Sequence, residues 1–173
     1  MSAEKISIRY AQSLFDLAES KGSIETVKND VLLILDAING SKELQMALQS
    51  PIIKADKKQA FMKAIFGSKI QELTLLMMNL LVTKGREKYT KEVCESFMGL
   101  YNVKNNIVPV KLRTAVAVSD QVKKEITSNI KGIVQIESII DPSLIGGFVV
   151  EYNNQMYDAS VSRSLEVLKQ KFQ

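Results

Sequence analysis

In "VKNNIVPVKLRTAVAVS", residues 103–119, the spacing of apolar residues changes, and with it the kind of structure the chain can form. Up to about Asn105 they recur every three or four positions, the period of one helix face. Beyond it Val108, Val110, Leu112, Thr114, Val116 and Val118 alternate with Pro109, Lys111, Arg113, Ala115, Ala117 and Ser119. That is the two-residue period of a half-buried strand. Pro109 has no N–H to give a ladder, which places the start of this strand at a sheet edge. The chain is therefore read as two units: residues 1–105, all helical, and residues 106–173, a small α+β unit.

Working back from the switch, six helical patterns fill the first unit. Residues 4–20 set Ala11, Leu14, Phe15 and Ala18 on one stripe, widened by Ile6, Tyr10 and Leu17. After Lys21-Gly22-Ser23, with Ser23 as the expected N-cap, Ile24, Val27, Val31, Ile34, Leu35 and Ile38 repeat at helical spacing until Asn39-Gly40. A short helix is expected over 42–48, and another over 56–66 carrying Ala60, Phe61, Ala64 and Ile65. A fifth runs from Ser68 to about Thr83, and a sixth from Arg86 to Tyr101 with Tyr89, Val93, Phe97 and Leu100. Short connections between amphipathic helices predict a compact six-helix bundle.

Working forward, Ser119 caps a helix with Val122, Ile126 and Ile130 on one stripe, and Gly132 suits its stop. Strands are expected over 133–140 and 148–152, separated by an Asp141-Pro142 turn. Asn153-Asn154 suits a hairpin into a short strand over 155–157. Asp158 reads as the cap of a final helix that turns Val161, Leu165, Leu168 and Phe172 inward. The second unit is thus a short mixed sheet with two helices.

Composition removes whole classes of function. The 173 residues are 46% apolar and 24% charged, ordinary for a folded globular chain. There is no histidine, so imidazole bases and most zinc sites are excluded. The single cysteine, Cys94, lies within a helical pattern with no imidazole to activate it and reads as packing. Residues 1–105 carry 15 basic and 12 acidic side chains, and residues 106–173 carry 8 and 7. Neither unit has the basic surplus of a nucleic-acid binder, and the lysines at 54, 57, 58 and 63 read as a solvated face. No apolar run reaches the roughly 18 residues of a membrane span, and the first residues lack the pattern of a signal or transit peptide. The carboxylates show no spacing that favours acid–base chemistry. No cofactor and no enzymatic activity are expected.

Two features remain. "LTLLMMNLLV", residues 73–82, is apolar except at Thr74 and Asn79, so the fifth helix must be covered on nearly all sides. Its neighbours in the bundle satisfy that, or one flank is left open for a partner's amphipathic helix. The second feature is Gly146-Gly147. It lacks the spacing of a phosphate loop or a dinucleotide fingerprint and leads into a strand instead of a helix. The pair reads as a bend, or as room for another backbone to come close.

"RYAQSLFDLA" (9–18), "NLLVTKGRE" (79–87) and "DPSLIGGFVVEYNNQMYDASVSRSLEVLKQKF" (141–172) resemble the δ subunit of bacterial F-type ATP synthases, the family of the mitochondrial oligomycin-sensitivity-conferring subunit. The resemblance spans essentially the whole chain, with its motifs in order. It implies a six-helix bundle that takes the amphipathic N-terminal helix of an α subunit, and a C-terminal unit that holds the C-terminal region of the stalk's b subunits. The implied function is a non-catalytic stator adaptor that resists rotor torque during proton-driven ATP synthesis. The implied location is the cytoplasmic face of a bacterial inner membrane, reached only through the complex, with no nucleic-acid partner. Carried over by position, the groove uses Tyr10, Ala11, Leu14 and Phe15 of the first helix and Leu76, Asn79, Leu80 and Thr83 of the fifth, with Gly85 and Arg86 at the corner. Gly146, Gly147 and Asp158 carry over as structural residues. One departure stands out: where the family tends to carry arginine followed by glycine, this chain has Val161-Ser162-Arg163-Ser164.

Overall fold

The computed structural model describes residues 3–128, 130–152 and 155–171. The expected Asn153-Asn154 hairpin and the inward Phe172 lie outside the described residues. The chain forms two compact units, Met1–Tyr101 and Asn102–Gln173, the boundary in sequence falling within the helix Thr90–Lys104.

The first unit contains α1 (Ala3–Ser20), α2 (Ile24–Gly40), α3 (Lys42–Gln49), α4 (Ala55–Phe66), α5 (Glu72–Thr83), a 3-10 turn over Glu87–Tyr89, and α6 (Thr90–Lys104). Its core takes Ala11 and Ala18 from α1, Val27, Val31 and Ile34 from α2, Met78 and Leu81 from α5, and Val93, Cys94 and Phe97 from α6, all buried. The Phe15 ring packs on Phe97 with centroids 5.6 Å apart. Such aromatic pairs add about 0.5–1.5 kcal/mol beyond the area they bury.

Several helices differ from the sequence expectation in ways that have physical causes. Ser23 precedes α2, but its hydroxyl donates back to the Ala18 carbonyl at 3.4 Å and caps nothing; Ser41 caps α3 instead, accepting from the Leu44 N–H at 3.2 Å. On α4 the inward face is Lys58, Met62 and Phe66, while Ala60, Phe61 and Ala64 are exposed. Lys58 belongs to no solvated face. It is only 4% exposed, pairs with Glu87, and also donates to the Leu48 carbonyl at the end of α3. One cation thereby ties together α3, α4 and the corner after α5. Helix α5 starts at Glu72 and not at Ser68, because a buried carboxylate fixes its first turn. Asp30 of α2 accepts from the Gln71 N–H and from the Thr74 hydroxyl, both at 2.8 Å. The N-cap Gln71 makes no side-chain cap of its own, so an acid 41 residues earlier satisfies the helix N-terminus and its dipole. Thr74 is fully buried for the same reason.

The second unit is a four-stranded mixed sheet in the order β2-β1-β3-β4, with β1 (Ile107–Thr114), β2 (Ile133–Ile140), β3 (Phe148–Tyr152) and β4 (Gln155–Asp158). Helix α7 (Asp120–Thr127) carries the parallel crossover from β1 to β2. The two antiparallel pairings, β1 with β3 and β3 with β4, complete the sheet. Val110, Leu112 and Val150 form its core, with Val118, Ile126, Ile130 and Phe148 packed against them.

Strand β1 is interior and not an edge, but Pro109 lies in its first half, which pairs only with β2; β3 joins from Lys111 onward. The missing N–H therefore disturbs no ladder on the β3 side. The strand also ends at Thr114, whose hydroxyl donates to the Val116 carbonyl, and Val116 is left exposed. Ser119 accepts from the Val122 N–H at 3.5 Å, as an N-cap does. Helix α7 stops at Thr127, so Ile130 packs from beyond it and Gly132 is not its stop. Gly132 holds φ +119°, where a side chain would come within 2.8 Å of the Asn106 carbonyl oxygen. Asp141 closes an Asx turn, accepting from the Ser143 N–H and hydroxyl. Those bonds hold its carboxyl below the ordinary range.

The last helix, α8 (Val161–Lys171), is capped by Ser160 and not by Asp158. The Ser160 oxygen accepts from the Arg163 N–H at 3.1 Å, while Asp158 accepts from the Ser160 N–H at 2.9 Å and sets the residue that caps. Nor does α8 turn its stripe inward: Val161, Leu165 and Leu168 are 42–51% exposed.

Candidate functional site

The candidate site lies between α1 and α5. Successive turns of α1 present Tyr10, Ser13, Leu14 and Leu17, and α5 faces them with Leu73, Leu76, Met77 and Leu80 around a cavity of about 80 Å³. Leu14 and Met77 form a buried floor, whereas Leu17, Leu76 and Leu80 stand 48%, 63% and 44% exposed. Helix α5 therefore buries its polar Thr74 and shows water two of its leucines, Leu76 and Leu80. That inversion arises because Asp30 gives Thr74 a partner inside the bundle while none of the described residues of the unit covers Leu76 and Leu80.

Gly85 supplies the turn that closes one end. Its φ is +63°, and the Arg86 N–H returns to the Leu81 carbonyl at 2.8 Å, so the chain reverses as α5 ends. Arg86 then reaches α1, where its Nη1 donates to the Tyr10 hydroxyl at 3.1 Å and its guanidinium lies 5.7 Å from the Tyr10 ring centroid. Tyr10, Leu14, Leu76, Leu80, Gly85 and Arg86 thus come together.

The other positions carried over from the family do not line this cavity. Ala11 is fully buried, and Phe15 is core against Phe97. Thr83 is turned toward α4, where Gln59 donates to its hydroxyl at 3.1 Å. The Asn79 side-chain oxygen is buried without a hydrogen-bond partner. Ser13, Leu17, Leu73 and Met77 also line the cavity and are not among the positions carried over from the family. Positions 10, 13, 14 and 17 follow one another at helical spacing, and that was the signal for the first two.

In the second unit, Gly147 holds φ +77°, and a Cβ there would lie 2.2 Å from the Ala159 carbonyl oxygen. A Cβ on Gly146 would meet the Val161 side chain at 3.1 Å. The backbone bonds that require this approach are Ala159 N–H to Phe148 and Val161 N–H to Gly146, both 3.0 Å. The pair fastens the start of α8 to the sheet. Asp158 is held below the ordinary carboxylate range by its hydrogen bonds from Ser160. Arg163, in the segment that departs from the family, pairs with Glu166 on the exposed surface of α8. A broad depression of about 850 Å³ crosses the sheet, its lining including Pro109, Lys111, Gln135, Glu137 and Glu151.

Nothing in these arrangements resembles a catalytic centre. Burial, and secondarily the Glu95 charge, pushes the Cys94 thiol up to about 12, so it is protonated and inert at neutral pH. Among the described residues, no three acidic or thiol groups converge as a metal site, and no helix is long and apolar enough to cross a membrane.

Residues 6–172 match the family model described as ATP synthase delta (OSCP) subunit. The ATP synthase subunit delta of Chlorobaculum parvum is 31% identical over 173 residues, covering 98% of this chain and 96% of the relative. That of Desulforamulus reducens is 32% identical, with coverage of 93% and 91%. The chloroplastic subunit delta of Emiliania huxleyi is 31% identical, with coverage of 96% and 95%. A chain of the Toxoplasma gondii mitochondrial ATP synthase hexamer shares the fold, with a TM-score of 0.75 at 24% identity and 96% coverage of both chains. The chain belongs to the ATP synthase delta (OSCP) subunit family: it is a non-catalytic stator component that links the catalytic head to the peripheral stalk and associates with the membrane only peripherally.

Proposed function

We propose that the α1–α5 groove receives the amphipathic N-terminal helix of the ATP synthase α subunit, and that the C-terminal unit holds the C-terminal region of the b subunits. Residues 1–105 then serve the head and residues 106–173 the stalk, on the cytoplasmic face of a bacterial plasma membrane. The observation that carries the head contact is the exposure of Leu76 and Leu80 over an apolar floor. A helix presenting apolar residues at i, i+3 or i+4 and i+7 covers such a surface. Each large side chain taken fully out of water contributes about 1.5–3 kcal/mol, so several partly exposed leucines together with the partner's own stripe outweigh the cost of association. Tyr10, Leu14, Leu76 and Leu80 act as anchors, extended by Leu17 and Leu73. The stalk contact is supported by the exposed stripe Val161, Leu165 and Leu168 on α8.

The test is a calorimetric titration of the full chain with a peptide covering roughly the first 25 residues of the α subunit from the same organism. Saturable one-to-one binding with a negative heat-capacity change is the expected result. A folded chain that binds no peptide refutes the groove assignment.

A further inference from the structure

The groove is apolar along its length but differently charged at its two ends. At the end where α5 stops, Arg86 is stacked on Tyr10, Lys84 is exposed at the C-cap, and Arg9 is exposed beside Tyr10. None of the three has an ion-pair partner among the described residues. Glu4, in the first turn of α1, lies about 120° round the helix from Tyr10 in one direction, whereas Arg9 and Asp16 lie at about 100–120° in the other, beside the cavity-lining Ser13. Glu87, the other acid near this corner, is committed to Lys58. Toward the opposite end, Asp16 and Glu72 flank the leucines, with Lys21 beyond the last turn of α1.

These three cations, without an ion-pair partner among the described residues, leave this end of the groove positive and suited to an anionic partner. Tyr10 and Gly85 hold Arg86 there: the turn aims it at α1 and the phenol fixes it, so little side-chain freedom remains to be lost when an anion arrives. From this charge pattern, and resting on the groove reading above, we propose that the occupant is an amphipathic helix with acidic side chains flanking one end of its apolar stripe. Its carboxylates lie against Arg86, Lys84 and Arg9. The leucines supply most of the affinity, and the cations fix which way round the helix lies, because the reversed helix sets its carboxylates against Asp16 and Glu72.

Two peptides test this on the full chain: the first ~25 residues of the α subunit as they stand, and the same peptide with its acidic residues replaced by Gln. Exposed pairs are individually weak, so the acidic peptide is expected to bind about threefold to tenfold more tightly at low salt, with the advantage shrinking in about 0.5 M salt. In the Arg9→Glu/Lys84→Glu double variant the preference is expected to vanish or invert, while the Gln peptide binds as it does to the unsubstituted chain. Equal binding of both peptides to the unsubstituted chain, or a preference that survives the double substitution, overturns the charge assignment and leaves the groove intact. Failure of both peptides to bind overturns the groove itself, and this proposal with it.

Discussion

Replacing Leu80 with Asp separates binding from folding. Leu80 is 44% exposed, and its neighbour Leu81 is fully buried. Complete burial of a leucine contributes about 1.5–3 kcal/mol, so the covered part of Leu80 contributes only about 1 kcal/mol to the bundle, and a similar amount remains to be gained on docking. An aspartate there forfeits the docking gain and forces a carboxylate against Leu14, Leu76 and the partner's apolar stripe, which adds at least ~2 kcal/mol. The sum, about 3 kcal/mol, is a loss of roughly 100-fold in affinity. Leu81→Ala is the counterpart. It opens a cavity in the core and lowers stability by about 2–5 kcal/mol, while the folded fraction still binds. Thermal melts followed by circular dichroism, paired with titration of the α-subunit peptide, distinguish the two substitutions. Leu80 belongs to the core and not to a docking surface if Leu80→Asp melts as early as Leu81→Ala, and it lies outside the contact if that variant binds the peptide normally.

The rest of the structure yields further expectations. Asp30→Ala strands the Gln71 N–H and the Thr74 hydroxyl together, and denaturant unfolding should register a loss of about 2–4 kcal/mol; a loss below 1 kcal/mol contradicts the capping role. Gly147→Ala puts a Cβ onto the Ala159 carbonyl at a φ that disfavours side chains, so a destabilisation of about 2–4 kcal/mol is expected, against about 1 kcal/mol for Gly85→Ala, where no atom lies within 4 Å. The Cys94 thiol titrates near 12 in the folded chain, above its value when unfolded. The neutral thiol therefore stabilises the fold fully below about pH 9, and that contribution falls by about 1.4 kcal/mol per pH unit from there toward 12. Urea unfolding of the wild type and Cys94→Ala should converge across that window; parallel pH profiles would mean the thiol ionises freely in the fold.

The period change at Asn105 was readable because the two units bury their residues by different geometries, every three or four positions in a helix and every second in a strand. Two departures share a cause, a polar residue whose partner is distant in sequence. Lys58 looked solvated because Glu87 is 29 residues away, and that error rotated the expected face of α4 from Met62 and Phe66 to Ala60, Phe61 and Ala64. Thr74 gave no sign that it would be buried, since its acceptor, Asp30, lies 44 residues back. In the groove, Leu14 and Phe15 are equally apolar neighbours, and only the position of Phe97 makes one of them floor and the other core. The stripe on α8 was expected to face inward because amphipathicity shows that a helix has an apolar side without saying which molecule covers it.

A chain that joins the head to the stalk fills both of its sites at once, and a sequential titration measures this. The chain is first saturated with the C-terminal fragment of the b subunits, then titrated with the α-subunit peptide, with the complex mass followed by sedimentation. The expected result is a ternary complex whose peptide affinity matches that of the free chain, and which loses the peptide but keeps the b fragment when Leu80 is replaced by Asp. Displacement of one ligand by the other would contradict it.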